Sequence, residues 1–252
     1  MSVILKDVGK QYKNNHTFVF QGLTLTIEPG SVYCLLGKNG AGKSTLLNIV
    51  TDIIRPSTGE LSIDGLTYTR DAIRIKRGMG VQSQFTQLIG ELNAMDFLRW
   101  TGLLYGMEKN RIASQSESLL EFFFDNEGDL SAPSKSYSSG MQKKLVLCSA
   151  IMHKPRLLVL DEPFANLDPV ACDKLCQFIN AYRSPDRMVI VSSHDLLYVD
   201  KIASHIGILH NGSLVFNGTL TAFKKDSPNL DKELMKFLSP PENNSSLIDL
   251  VV

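Results

Sequence analysis

Apolar and polar positions follow two rhythms along the chain. Near the N-terminus they alternate, so residues 2–8 and 23–27 read as half-covered strands, the second broken by Glu28-Pro29-Gly30. Continuous apolar runs follow at Val32-Tyr33-Cys34-Leu35-Leu36, Arg156-Leu157-Leu158-Val159-Leu160 and Met188-Val189-Ile190-Val191-Ser192. Runs of that kind suit strands covered on both faces. Shorter strands are predicted at residues 61–63, 79–81, 206–209 and 213–216, the last two flanking Asn211-Gly212, a hairpin turn. Residues 55–60 read as a turn, and helices are predicted after residue 42 or 43 and over 71–76, 170–182 and 230–238. Residues 91–124 interrupt the strand–helix alternation with helix-spaced Phe97, Leu98, Leu103, Leu104, Leu119, Leu120, Phe123 and Phe124, and so read as a helical lobe. Residues 126–133 form a polar connector, and Ser138-Ser139 is placed to cap a long helix over 141–153. The pattern is that of an α/β protein.

Between the first buried strand and the first helix lies Gly37-Lys38-Asn39-Gly40-Ala41-Gly42-Lys43-Ser44-Thr45. It fits the G-x-x-x-x-G-K-[ST] phosphate loop in strand–loop–helix context. Its glycines allow the backbone to wrap a polyphosphate with N–H groups pointing inward, and the helix start adds partial positive charge. Lys43 can reach the β- and γ-phosphates, and the Ser44 hydroxyl can ligate Mg²⁺. The three buried runs end in Gly37, in Asp161-Glu162 and at His194. In an open parallel sheet those ends would share one edge, where ligands bind.

Bulk properties narrow the function. The 252 residues suffice for one large α/β domain or two small lobes; 43% are hydrophobic and 21% charged, which argues against disorder. Formal net charge is zero, so a general affinity for nucleic acid is not expected. Cys34, Cys148, Cys172 and Cys176 form no C-x-x-C pair, and a reducing cytosol suits them. The first residues lack a signal-peptide pattern, and there is no stretch of about 18 apolar residues that would span a membrane.

Taken together, residues 3–225 resemble the nucleotide-binding subunit of an ATP-binding cassette (ABC) transporter. The phosphate loop is followed, in the family's order, by Gln84, like the Q-loop glutamine, and by Tyr137-Ser138-Ser139-Gly140-Met141, like the signature. Then come Leu157-Leu158-Val159-Leu160-Asp161-Glu162-Pro163, like Walker B; Asn166-Leu167-Asp168-Pro169, like the D-loop; and Ser193-His194-Asp195, like the switch histidine. The resemblance implies a P-loop NTPase with a mixed, largely parallel core sheet, an N-terminal antiparallel β subdomain and an inserted α-helical signature subdomain at about residues 88–153. Residues 226–252 would be a tail, a short helix and then a mobile arm whose apolar end either docks on a sister subunit or a permease or is a disordered remnant.

The resemblance also assigns roles. ATP would be held by Gly37, Asn39, Gly40, Ala41, Gly42, Lys43, Ser44 and Thr45, with Tyr12 stacked on adenine. Asp161, Ser44 and Gln84 would hold Mg²⁺; Glu162 would orient or deprotonate water, His194 would sense the γ-phosphate, and Lys43 and Gln84 complete the catalytic set. Gln82 competes with Gln84 for the Q-loop assignment. Ser138, Gly140 and Asp168 would meet ATP held by a second copy, so two subunits would clasp two ATP molecules. The usual signature, L-S-G-G-Q, has Tyr137, Ser139 and Met141 here in place of leucine, glycine and glutamine, a form similar to that of exporter-type subunits. The expected function is an ATPase on the cytoplasmic face of a membrane, driving a separate multispanning permease, for export rather than import. The alternatives are an ABC protein acting on nucleic acid or ribosomes, an importer or lipid-trafficking subunit, and a scaffold that binds ATP without turnover.

Overall fold

A computed structural model of the chain describes residues 2–13, 17–83, 88–125, 128–224 and 229–238. In chain order the first elements are β1 (Val3–Gln11), β2 (Phe18–Ile27), β3 (Val32–Leu36), α1 (Lys43–Val50), β4 (Thr58–Ile63), α2 (Tyr68–Arg77) and β5 (Met79–Gln82). Next come α3 (Ala94–Leu104), α4 (Lys109–Phe124), a 3₁₀ turn (Ser134–Ser136), α5 (Ser139–Ile151), β6 (Leu157–Asp161) and α6 (Pro169–Tyr182). The remainder is β7 (Met188–Ser192), α7 (Leu196–Ile202), β8 (His205–His210), β9 (Ser213–Thr219), α8 (Leu220–Lys224) and α9 (Leu230–Leu238).

The strands make two sheets. β1 lies between β2 and β4 in an antiparallel three-stranded sheet. The larger sheet has the order β5-β6-β7-β3-β8-β9, parallel except for β9, which returns antiparallel through the Asn211-Gly212 turn. Both turn residues have positive φ (47° and 74°), as that hairpin type requires.

The side-chain period of two sorts the large sheet into two cores. Val32, Cys34, Leu36, Leu158, Leu160, Val189 and Val191 pack with residues of α3, α4, α5 and α6. Tyr33, Leu35, Leu157, Val159, Met188 and Ile190 pack with α1 and the antiparallel sheet. Burying one such aliphatic side chain contributes about 1.5–3 kcal/mol. β3, β6 and β7 therefore sit rigidly between layers, and their carboxyl ends emerge side by side.

The helical block has one departure from its predicted core face. Leu103 and Leu104 are exposed, whereas Ala94, Phe97, Leu98 and Thr101 are buried. The i, i+3, i+4, i+7 face of α3 runs through those four positions; Leu103 falls opposite it, and Leu104, three residues after Thr101, is the last residue of the helix. The predicted turn at residues 55–60 is cut short because β4 already begins at Thr58 to pair with β1. α2 starts three residues before the predicted helix, with Asp71 at non-helical φ −125°. Gln84 and the apolar end of the tail lie outside the described residues. Among the described residues no helix is long and apolar enough to cross a membrane.

Candidate functional site

The loop between β3 and α1 is shaped by its glycines. Gly37 has φ +154°, and a Cβ there would stand 2.4 Å from the Leu209 carbonyl oxygen. Gly42 has φ +100° and leads straight into α1, whose N-terminus has no side-chain cap and no acidic residue in its first turn. The end of the helix is thus left to an anion. Lys43 is buried, and its ammonium donates to the Gly37 carbonyl at 2.8 Å while standing 3.6 Å from Glu162 Oε1.

Asp161 and Glu162 follow one another at the end of β6 and point to different partners. Ser44 Oγ donates to Asp161 Oδ1 at 3.1 Å, and Ser192 Oγ donates to the same oxygen. Glu162 Oε2 lies 2.9 Å from His194 Nδ1. Asp161 is 4% exposed, so its charge stands largely out of water beside two hydroxyls and the lysine loop.

Glu162 has φ +48°, the left-handed region, which costs a side-chain-bearing residue about 1–3 kcal/mol. Neighbours hold it there. Its N–H donates to Ser192 Oγ at 2.9 Å, and its carbonyl accepts from Lys143 Nζ at 2.5 Å. Lys143 also donates to the Ala165 carbonyl at 2.6 Å. Burial pulls the Lys143 ammonium below the usual lysine range, and the Glu162 carboxylate opposes that pull.

The helix starts present the remaining residues. Ser138 Oγ accepts the Met141 N–H at 3.2 Å and caps α5, leaving Ser138 exposed at its tip. Asp168 Oδ1 accepts the Ala171 N–H at 2.9 Å and caps α6, with Pro169 in the first turn. That hydrogen bond holds the Asp168 carboxyl below the usual carboxylate range. Tyr12 follows β1, is 42% exposed, and its hydroxyl lies 3.3 Å from Thr45 Oγ1.

The residues present fit a magnesium nucleotide. An uncapped helix start and a buried lysine suit a polyphosphate, and two hydroxyls around a carboxylate suit a hard divalent cation. Among the described residues no group of three or more His, Cys, Asp and Glu side chains would hold a metal unaided.

The sequence profile of the ABC transporter family matches residues 20–165, more than half of the chain. The chain belongs to that family. It is 31% identical to the ABC-type transporter ATP-binding protein EcsA of Bacillus subtilis, over 88% of each chain. It is 28% identical to the Nod factor export ATP-binding protein I of Rhizobium etli, over 86% of this chain and 68% of the relative. A solved ATP-binding subunit of an ABC transporter superposes with a TM-score of 0.85 at 27% identity, covering 94% of this chain and 99% of that one. The protein is therefore an ABC ATPase, the ATP-binding and hydrolysing component of a transporter, and its α/β fold with an antiparallel β subdomain is the family's.

Within this ABC subunit the structure brings together the phosphate loop, Asp161, Glu162 and His194 on one edge, as predicted for the strand ends. It leaves Ser138 and Gly140 at the tip of α5 and Asp168 at the tip of α6. Gln84 lies outside the described residues. Gln82 pairs in register with Leu160 and so shares its face, away from α1 and toward α5. Among the described residues its buried carboxamide oxygen has no hydrogen-bond partner, and it lies in a cleft of about 500 Å³ lined also by Ser83, Gln142 and Lys143.

Two of the three departures in the signature, Tyr137 and Met141, have a structural role. The Tyr137 hydroxyl accepts the Ala94 N–H at 3.1 Å and donates to the Leu130 carbonyl at 2.8 Å, tying α3 to the connector. Met141 is buried under Gly128, where a Cβ would come within 2.7 Å of its Cε. It is a packing residue of the helical layer. Sequence reading missed Ser192 and Lys143, since each acts through a contact with a distant strand end.

Proposed function

We propose that this subunit binds Mg-ATP between two copies of itself and hydrolyses it to drive a separate multispanning permease that exports its cargo. The observation that carries the reading is the Glu162 carboxylate held between Lys43 and His194 at the mouth of the phosphate loop. Phosphoryl transfer to water needs a positioned nucleophile and stabilisation of charge on the transferred group. The Gly37–Thr45 loop cradles the phosphates, with Asn39 and Gly40 exposed and Ala41 half-buried along it. Lys43 balances the charge that grows on the γ-phosphate. Glu162 orients water and accepts its proton, and His194 holds that carboxylate and senses the γ-phosphate. Ser44, Asp161 and Gln84 would hold the magnesium ion, which would supply neutralisation of phosphate charge. Tyr12 stacks on adenine.

The dimer is supported by where the remaining binding groups stand. Ser138 and Gly140 are at the exposed tip of a helix, Asp168 is exposed, and Val170 beside it is 66% exposed. A second subunit's phosphates at the start of α5 would use that helix end as an anion site. Closure would be driven by ligand affinity for the closed state, and hydrolysis would release it. The export reading is supported by the likeness to the Nod factor export ATP-binding protein. We read residues 1–225 as the cassette, about 88–153 as the signature lobe and 226–252 as a tail, whose helix α9 packs through Leu230 and Leu238 on this chain's own core. The subunit works at the cytoplasmic face through its permease.

Phosphate release by the purified protein, alone and with its co-expressed membrane partner, tests this reading. Magnesium-dependent turnover and co-purification with a multispanning protein are expected. Co-purification with nucleic acid instead, or no turnover under either condition, overturns it.

A further inference from the structure

The segment from Glu162 to Asp168 lies along the first turns of α5 and is gripped at three points. Lys143 Nζ donates to the Glu162 and Ala165 carbonyls at 2.5 and 2.6 Å. A Cβ on Gly140 would stand 3.3 Å from the Asn166 carbonyl oxygen, so the backbones touch there. Lys144 Nζ stands 3.9 Å from Asp168 Oδ2. Between these points the chain turns tightly, with Ala165 N–H donating to the Glu162 carbonyl and positive φ at both Glu162 (48°) and Asn166 (63°).

From this geometry we infer that Lys143 is a positioning residue for the hydrolytic carboxylate: its ammonium clamps the Glu162–Ala165 turn to the signature helix, so Glu162 keeps its posture only while α5 is seated. The inference rests on the proposed role of Glu162. An ammonium has three donors in tetrahedral array, and two of them are spent on carbonyls three residues apart. The Glu162 peptide is then fixed at both ends, by Ser192 on its N–H and by Lys143 on its carbonyl. Between these anchors the side chain reaches Lys43 and His194. Release of the carbonyl anchor lets the strained residue relax toward ordinary φ and swings the carboxylate away from its partners.

The clamp also joins two functions on one rigid element. The tip of α5 carries Ser138 and Gly140, which face a second subunit's nucleotide in the proposed dimer. Lys143 lies about one turn further on, and it holds this subunit's own carboxylate. Seating of the helix tip by one ATP is thereby linked to alignment at the other. Lys143 spends its ammonium on two backbone carbonyls of the turn, so its effect is expected on turnover, with ATP capture left in place.

The test compares wild type with Lys143→Met, Lys143→Gln and Lys143→Arg in the full-length chain, with its membrane partner if wild type needs it. Lys143→Met is expected to lower kcat by about tenfold to a hundredfold, the scale set by a misplacement of about 1 Å, with KM and the Kd for a fluorescent ATP analogue within about twofold. Lys143→Arg, which can still donate to both carbonyls, is expected to recover most of the rate. If Lys143→Met does not fold by circular dichroism, Lys143→Gln, with one amide group for two carbonyls, is read in its place and is expected to fall between wild type and Met. A kcat within twofold of wild type in the folded variant overturns the inference, as does a loss divided equally between kcat and nucleotide affinity. Wild type without turnover, or Glu162→Gln turning over at the wild-type rate, overturns instead the role given to Glu162.

Discussion

His194 Nδ1 stands 2.9 Å from Glu162 Oε2, while Lys43 Nζ approaches the other oxygen of that carboxylate at 3.6 Å. The histidine is 58% exposed and the carboxylate 17%, so the pair bridges from solvent to the buried lysine. Glu162→Gln removes the proton acceptor and keeps the shape. It is expected to lower turnover by about 10²–10⁴-fold and to accumulate a nucleotide-bound dimer. His194→Ala is expected to reduce turnover with nucleotide affinity retained. Phosphate release and gel filtration with ATP check both; turnover within twofold of wild type in either variant removes that residue from the mechanism.

Tyr12 offers an exposed ring directly after β1, with Lys10 Nζ 5.2 Å from its centroid. Base stacking on such a ring is worth about 1–3 kcal/mol. Tyr12→Ala is therefore expected to weaken ATP binding by roughly five- to 150-fold. Tyr12→Phe is expected to bind as wild type, because among the described residues the hydroxyl reaches only Thr45, at 3.3 Å. Titration with ATP measures both, and an unchanged Kd in Tyr12→Ala places the base elsewhere.

Tyr137 satisfies two backbone groups of the helical layer through a single hydroxyl. Tyr137→Phe leaves the Ala94 N–H and the Leu130 carbonyl with only their long mutual hydrogen bond of 3.4 Å, at a cost of about 0.5–1.5 kcal/mol. Urea unfolding should show a lower midpoint with an unchanged slope. No shift in midpoint would show that other groups replace the hydroxyl.

The His153 ring stacks on Tyr105 with centroids 3.6 Å apart, and its Nε2 lies 3.0 Å from the Met79 carbonyl. Burial lowers its pKa below the ordinary histidine value, and the Met79 contact opposes that shift. Below about pH 6.5 the unfolded chain therefore takes up a proton that the folded ring resists. Folding stability must fall as pH drops through that value, until the folded ring is protonated too. Comparison of urea midpoints at pH 7.5 and 5.5 should show wild type losing more than His153→Gln. Equal losses would mean that the ring titrates as it does in the unfolded chain.

Much of this architecture is visible in the chain because its signals are local. The runs that became β3, β6 and β7 were apolar at every position, and the glycine spacing around Lys43 fixes a loop that few backbones share. α9 was bounded by its own apolar spacing. α7 escaped notice, although Asp195 Oδ1 caps it through the Leu197 N–H, because seven residues give too few turns for a period to emerge. The exposure of Leu103 and Leu104 depends on which face of α3 meets α4 and α5, a tertiary matter. Lys143 is illegible for the same reason: a lysine in a helix becomes a clamp only through carbonyls 19 and 22 residues away.

In β6 the odd positions, Leu157 and Val159, face α1 and the even ones, Leu158 and Leu160, face α5 and α6. Asp161 inherits the odd side, and that parity delivers it to Ser44. A deletion of one residue anywhere in Leu157–Leu160 would keep a greasy, well-formed strand and yet hand the carboxylate to the opposite layer. Such a protein could fold and still be chemically inert, its chemistry lost to a miscount.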